Sequence, residues 1–157
     1  MTEATSLATI TLEGEALTRL SPLQEADRAQ AVADLQVENR FLPIGAGPGP
    51  FALRLSIQEG RLVFDLRRLD DTPIKAIALA LGPFRGLIKD YQLLVDSHMV
   101  AVEEGREAKI QAIDMGRRGL HNEGAQLMIG RLDGKVDIDF KTARRLFTLV
   151  CVMHQRM

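Results

Sequence analysis

Tryptophan is absent from this chain of 157 residues, and cysteine and tyrosine occur once each, as Cys151 and Tyr91. A single cysteine has no internal partner, which excludes a disulfide scaffold and fits a reducing compartment. One polar aromatic and no tryptophan leave little with which to stack nucleic-acid bases. Long apolar runs are missing too. The longest, "AIALAL" and "LVCVM", fall far short of the about 20 residues a bilayer-spanning helix needs. The N-terminal "MTEATSLATITLEGEA" is acidic and polar, without the basic start and apolar stretch of a secretory signal. A cytoplasmic protein without membrane contact is expected.

Chemical motifs are also lacking. The chain has no Gly-x-Ser-x-Gly elbow, no P-loop, and no C-x-x-C or H-x-x-x-H pair. Cys151 and His154 stand three apart, but two ligands do not make a zinc site. His98, with Met99 and Val102 beside it, reads as a core histidine of an apolar helix face, and no metal or cofactor is expected. In "LGPFRG", Arg85 in the first turn of a helix could meet an anion at that N-terminus, though a plain N-terminal proline explains the stretch.

Net charge is −1, which advertises neither nucleic acid nor membrane. The distribution is uneven. Residues 1–104 hold ten Lys/Arg and fifteen Asp/Glu, and residues 105–157 hold ten and six. The halves thus carry −5 and +4, and the basic half suits an acidic protein partner.

At this length one domain over 1–157 can bury a sizeable core. All six prolines lie between Pro22 and Pro83, leaving the rest free to be helical. "LATITL" alternates as a strand does. Ser21, Pro22 and Gln24 form a capping-box start, and the helix runs over 22–38. "FLPIGAGPGP" at 41–50 reads as a mobile Gly/Pro loop, because its glycines do not end a strand and open a helix as a dinucleotide site requires. "FALRLSI" and "RLVFDLR" then form a hairpin across Glu59–Gly60. That turn sets Gln58 opposite Arg61, Ile57 opposite Leu62, Leu55 opposite Phe64, Leu53 opposite Leu66, and Arg54 opposite Asp65. "IKAIALAL" adds a strand with Ile77, Leu79 and Leu81 on one face and three alanines on the other. Helices follow at 83–104, 106–131 and 140–155, the first with Phe84, Ile88, Tyr91, Val95, Met99 and Val102 on its apolar face. Asp139 caps the last, and "KVDIDF" before it alternates as a short strand would. The expected fold is α+β: about four antiparallel strands, namely the meander 51–81 plus the N-terminal strand, with helices packed mainly on one face.

The segment "IDMGRRGLHNEG" concentrates the polar chemistry. On a helix, Ile110, Ile113, Leu120, Leu127 and Met128 make an apolar stripe that contains Gly124 and Arg117, with His121 and Asp114 at its edge. Gly116, Gly119 and Gly124 cost such a helix about 3 kcal/mol together. Either another backbone approaches them or the helix breaks into a turn bearing His121 and Asn122. An inward guanidinium needs a carboxylate; Asp114 is within (i, i+3) reach, and Asp65, Asp90, Asp96 and Glu123 are further candidates.

The segments "RLVFD", "PFRG", "IKDY", "IDMGRRGLHNEG" and "KVDIDFKTARRLFTLVCVMH" resemble a bacterial family catalogued as uncharacterised. The likeness covers nearly the whole chain and is strongest from Phe51 onward, while "LPIGAGPGP" departs from the usual pattern. It implies a small cytoplasmic single-domain protein and brings no reaction, cofactor or partner.

Three functional readings follow. The first is a non-catalytic interaction or regulatory protein, dimeric through a final helix that is apolar nearly all round from Leu146 to Met153. The second is an enzyme or binding protein for a small anion, with Arg117 and Arg118 as clamps, Asp114 and Asn122 beside them, and His121 as candidate proton donor or acceptor near neutral pH. The third is weak RNA association through Arg117, Arg118, Lys141, Arg144 and Arg145, for which stacking groups are lacking.

Overall fold

Residues 3–154 are described in a computed structural model. Strands β1 (Leu7–Glu13), β3 (Phe51–Gln58), β4 (Arg61–Arg67) and β5 (Pro73–Ala80) form one sheet in the order β1-β3-β4-β5. Helix α1 (Pro22–Val37) and the short strand β2 (Phe41–Pro43) lie between β1 and β3 in sequence. Helices α2 (Arg85–Glu103) and α3 (Glu107–Leu132), strand β6 (Val136–Ile138) and helix α4 (Phe140–Met153) complete the chain. The fold class is α+β.

The β3–β4 hairpin forms in the expected register, from Gln58 opposite Arg61 through Leu53 opposite Leu66. Glu59 and Gly60 both have positive φ, 51° and 74°, as a two-residue turn matching the strand twist requires. Leu53, Leu55, Leu62, Phe64 and Leu66 are all buried on the core face, joined by Ile77 and Leu79 of β5. Arg54 does sit across from Asp65, yet the charges pair otherwise. Arg54 reaches Asp71 at 2.8 Å, and Asp65 takes Arg67, two residues along its own strand, at 3.2 Å.

The N-terminal strand corrects one expectation: β1 pairs with β3 in parallel, so the sheet is mixed. The cause is α1, whose 16 residues return the chain to the end of the sheet where it began, the crossover that parallel neighbours require. Its capping box forms as read, with Ser21 Oγ accepting from Gln24 N and Gln24 Oε1 accepting from Ser21 N. The segment read as a loop begins as a strand, β2, antiparallel to β6. Beyond it, Arg68 donates to the carbonyls of Ala46 and Pro48 at 2.8 and 2.7 Å.

The helices cover one face of the sheet, and the other shows Thr9, Thr11, Ala76, Ala78 and Ala80 to solvent. Ile88, Tyr91 and Val95 of α2 are buried, but Met99 and Val102 of the same expected stripe are exposed. Helix α4 is central, packed against α1 and α3, and every residue from Leu146 to Met153 is buried within this one chain. Its all-round apolarity is therefore answered by the chain's own helices and sheet, and the expectation of a homodimer through α4 loses the surface it rested on.

Candidate functional site

Helix α3 is continuous from Glu107 to Leu132, so the glycines do not break it. Gly124 is where another group comes close, and that group is a ring, not a backbone. A Cβ there would stand 2.1 Å from Phe147 Cδ2 and 2.4 Å from Cγ. Phe147 of α4 thus lies directly on the glycine and draws α3 and α4 together. Gly116 meets only Leu94 at 3.6 Å, and Gly119 meets nothing within 4 Å.

Arg117 turns inward, as its place in the stripe required. Its Nη1 donates to Oδ1 of Asp27, and its Nη2 donates to Asp114 Oδ1 at 3.1 Å. Asp114 was among the expected carboxylates, whereas Asp27 of α1, which receives Nη1, was not. Tyr91 Oη donates to the other Asp27 oxygen at 2.7 Å, tying α1, α2 and α3 at one buried carboxylate. Burial by itself lowers the Arg117 pKa, but Asp27 and Asp114 outweigh it and leave the guanidinium firmly charged. Burial and the Asp27 charge push the Tyr91 phenol well above its usual range.

Above this buried knot, α1, α3 and α4 enclose a cleft of about 140 Å³. Two helical turns of like spacing line it. "RRGLH" of α3 presents Arg117, Arg118 and His121, and "RRLFT" of α4 presents Arg144, Arg145 and Thr148. Asp27, Gln30 and Asp34 of α1 close the third side. Arg145 lies 3.7 Å from Asp34. Arg144 Nε donates to Asn122 Oδ1 at 2.8 Å, a neutral partner. Among the described residues no carboxylate comes within 4 Å of the Arg118 or Arg144 guanidinium. Burial, then the neighbouring Arg145, Arg117 and Arg118, lower the Arg144 pKa.

His121 is placed in the site, at its buried end. Its ring is 4% exposed, set 5.7 Å from the Tyr91 ring and edge-on to Phe147, and its Nε2 is buried without a partner. Burial, then Arg144 and Arg117, hold its pKa down at about 3. The imidazole is neutral around pH 7, and the expected role was that of a proton donor or acceptor there. Cys151 is sealed in the core, and burial pushes its thiol up. Among the described residues no three His, Cys, Asp or Glu side chains gather as a metal site.

The site thus joins Arg117, Arg118, His121, Asn122 and Asp114, as the sequence led one to expect, with four groups it had not assigned there. In the sequence Arg144 and Arg145 point to RNA, Tyr91 to the core and, poorly, to base stacking, and nothing assigns Asp27 to the site. Asp27 had a signal: Leu23, Asp27, Ala31 and Leu35 follow one another at i+4, so a carboxylate stood in the apolar stripe of α1.

The sequence pattern of an uncharacterised protein family, UPF0262, matches residues 4–156. The chain belongs to this family. A UPF0262 protein of Granulibacter bethesdensis is 70% identical over 160 residues, covering 96% of this chain and 90% of its own length. One from Acidiphilium cryptum is 62% identical over 87% of this chain and 85% of its own. A third, from Rhodopseudomonas palustris, is 50% identical over 94% and 91%. No solved structure matches the chain. No helix among the described residues is long and apolar enough to cross a membrane.

Proposed function

We propose that this UPF0262 protein is a non-catalytic binding protein of the cytoplasm, which takes a small anion into the cleft between α1, α3 and α4 and passes its occupancy on through those helices. One observation carries the reading. Arg144 stands half-buried beside three other arginines with no carboxylate of its own, and cations so crowded are stable where an anion completes them.

A non-catalytic role is supported by the state of the groups that would do chemistry. A general acid or base works best with a pKa near the operating pH, and His121 is held at about 3. Both Asp27 oxygens are engaged by Arg117 and Tyr91. The Cys151 thiol has no access to solvent.

Thermal-shift measurements with small anions at constant ionic strength test this. An anion at a hundred times its Kd stabilises by about 2.7 kcal/mol, or roughly 5–10 °C in Tm for a domain of this size. The rise should appear for wild type and vanish in Arg144→Gln. Equal melting of wild type with every anion overturns the reading.

A further inference from the structure

The cleft's charge, donors and size narrow what it holds. Four guanidinium groups, Arg117, Arg118, Arg144 and Arg145, face two carboxylates, Asp27 and Asp34. With His121 neutral, the lining has two more arginines than carboxylates, and Asp114, paired to Arg117 from outside the lining, lowers the net of the whole set to one positive charge. The pairing is informative. Arg117 is matched by Asp27 and Asp114, and Arg145 stands beside Asp34. The guanidinium groups without a carboxylate of their own are therefore Arg118 on α3 and Arg144 on α4, one on each of two walls. An anion with oxygens directed at both walls meets both of them.

Donors are abundant. Arg118 has all five of its N–H groups to give, and Arg144 keeps the four on its Nη atoms after Nε is spent on Asn122. Two planar forks from different walls suit a group whose oxygens point in several directions, more than the two coplanar oxygens of a carboxylate. Size sets the remaining limit. A cleft of about 140 Å³ that opens to solvent takes a compact oxyanion between its arginines and lets any larger body attached to it extend outward.

Resting on the anion-binding reading above, we infer that the ligand is a phosphate dianion, either free phosphate or the phosphoryl end of a phosphomonoester whose body stays outside, clamped between Arg118 and Arg144. A phosphate carries about −1.5 to −2 at pH 7 and offers at least three strong acceptor oxygens, which answers the two guanidinium groups and the number of donors together. Asp27 and Asp34 hold Arg117 and Arg145 in place and leave Arg118 and Arg144 to the ligand.

Isothermal titration of the full chain with inorganic phosphate, glycerol 3-phosphate and malonate, at pH 7.5 and fixed ionic strength, tests the inference. Phosphate or glycerol 3-phosphate should bind at one site, at least tenfold tighter than malonate. Arg118→Gln, at an exposed residue without a carboxylate partner, should weaken that binding at least tenfold while melting as wild type does. Arg144→Gln should weaken it at least as much. Tighter binding of free phosphate assigns the site to the ion, and tighter binding of the ester assigns it to a phosphorylated metabolite. Malonate binding as tightly as either phosphate, and lost in Arg118→Gln, overturns the phosphate assignment and leaves the anion site standing. If none of the three binds, or if both arginine variants bind as wild type does, the anion site itself is overturned.

Discussion

The two sides of α3 differ in what fills the space beside its glycines. On the inner side Phe147 occupies the place of a side chain at Gly124, and Arg117, one and a half to two turns away, is locked to α1 through Asp27. On the outer side Gly119 faces open space, and Gly116 has only ordinary contact with Leu94. The same residue type thus serves two ends within one helix. Inside, glycine is a steric requirement that sets how close α3 and α4 come, and so sets the spacing of the two arginine turns across the cleft. Outside, nothing among the described residues requires it.

The largest test removes the charge that organises the inner side. Asp27→Ala leaves Arg117 with Asp114 alone and strands the Tyr91 hydroxyl in the core. Breaking a partly buried ion pair of this kind costs about 3–5 kcal/mol, and urea denaturation should show it as a lower midpoint with an unchanged slope. A loss below about 1 kcal/mol would mean that the inner side is held by packing and the carboxylate is incidental.

Gly124→Ala comes next. Alanine gains about 1 kcal/mol as a helix former, but its methyl would overlap three atoms of the Phe147 ring. The overlap includes Cγ, so turning the ring about Cβ–Cγ does not clear it, and the whole side chain or α4 must shift. Overpacking costs about 1–3 kcal/mol and sometimes more, and a net loss of about 2 kcal/mol is expected at this fully buried ring. Gly124→Ala with Phe147→Leu should recover part of it, because the smaller side chain yields to the methyl. Stability equal to or above wild type in the single variant would erase the distinction between the sides.

The inner side should also impose a pH dependence. In the unfolded chain His121 titrates near 6.5, and in the fold it is held to about 3 by burial, then by Arg144 and Arg117. As pH falls through 6.5 the unfolded chain takes up the proton first. Stability is therefore full above that value, declines below it, and goes on declining until the folded-state value near 3 is reached. The slope is at most about 1.4 kcal/mol per pH unit, or up to about 2 kcal/mol by pH 5. Burial lowers the His154 pKa as well, so the readout is the difference in slope between wild type and His121→Gln from pH 7 to 5. Parallel curves would show that His121 is not desolvated.

What was legible in advance follows the range of the interaction that decides it. The β3–β4 register could be read because alternation and a two-residue turn are local. The cap at Ser21 and the cap at Asp139, where the carboxylate accepts from Thr142 N, are local too. The direction of β1, expected antiparallel, is parallel; alternation is the same in either direction, and only the length of α1 spoke for a crossover. Helix α4 showed that it needed cover on every side, but a linear pattern does not say whether the cover comes from α1, α3 and the sheet or from a second chain. Within the site, Arg117 was legible as an inward charge from its place in a stripe. Its pairing with Asp27, 90 positions earlier, depends on how α1 and α3 cross. The same holds for the meeting of "RRGLH" with "RRLFT", each plain in the sequence and joined only by tertiary packing. The neutrality of His121 has that origin as well, because the rings of Tyr91 and Phe147 that desolvate it come from other helices.

The smallest effect probes the outer side. Gly119 has helical backbone and no neighbour within 4 Å of an added Cβ. In Gly119→Ala the methyl therefore meets no steric cost, the unfolded chain loses some of its freedom, and the helix loses a weak former. All three act in one direction, and a gain of about 0.5–1 kcal/mol is expected, opposite in sign to Gly124→Ala five residues on. The gain should be the same with and without phosphate, since position 119 does not line the cleft. A loss instead would show that another surface comes against α3 at that point. Leu93 and Leu94 of α2 border the same groove, so that surface would be apolar, and a concentration-dependent Tm would mark it as a second copy of the chain.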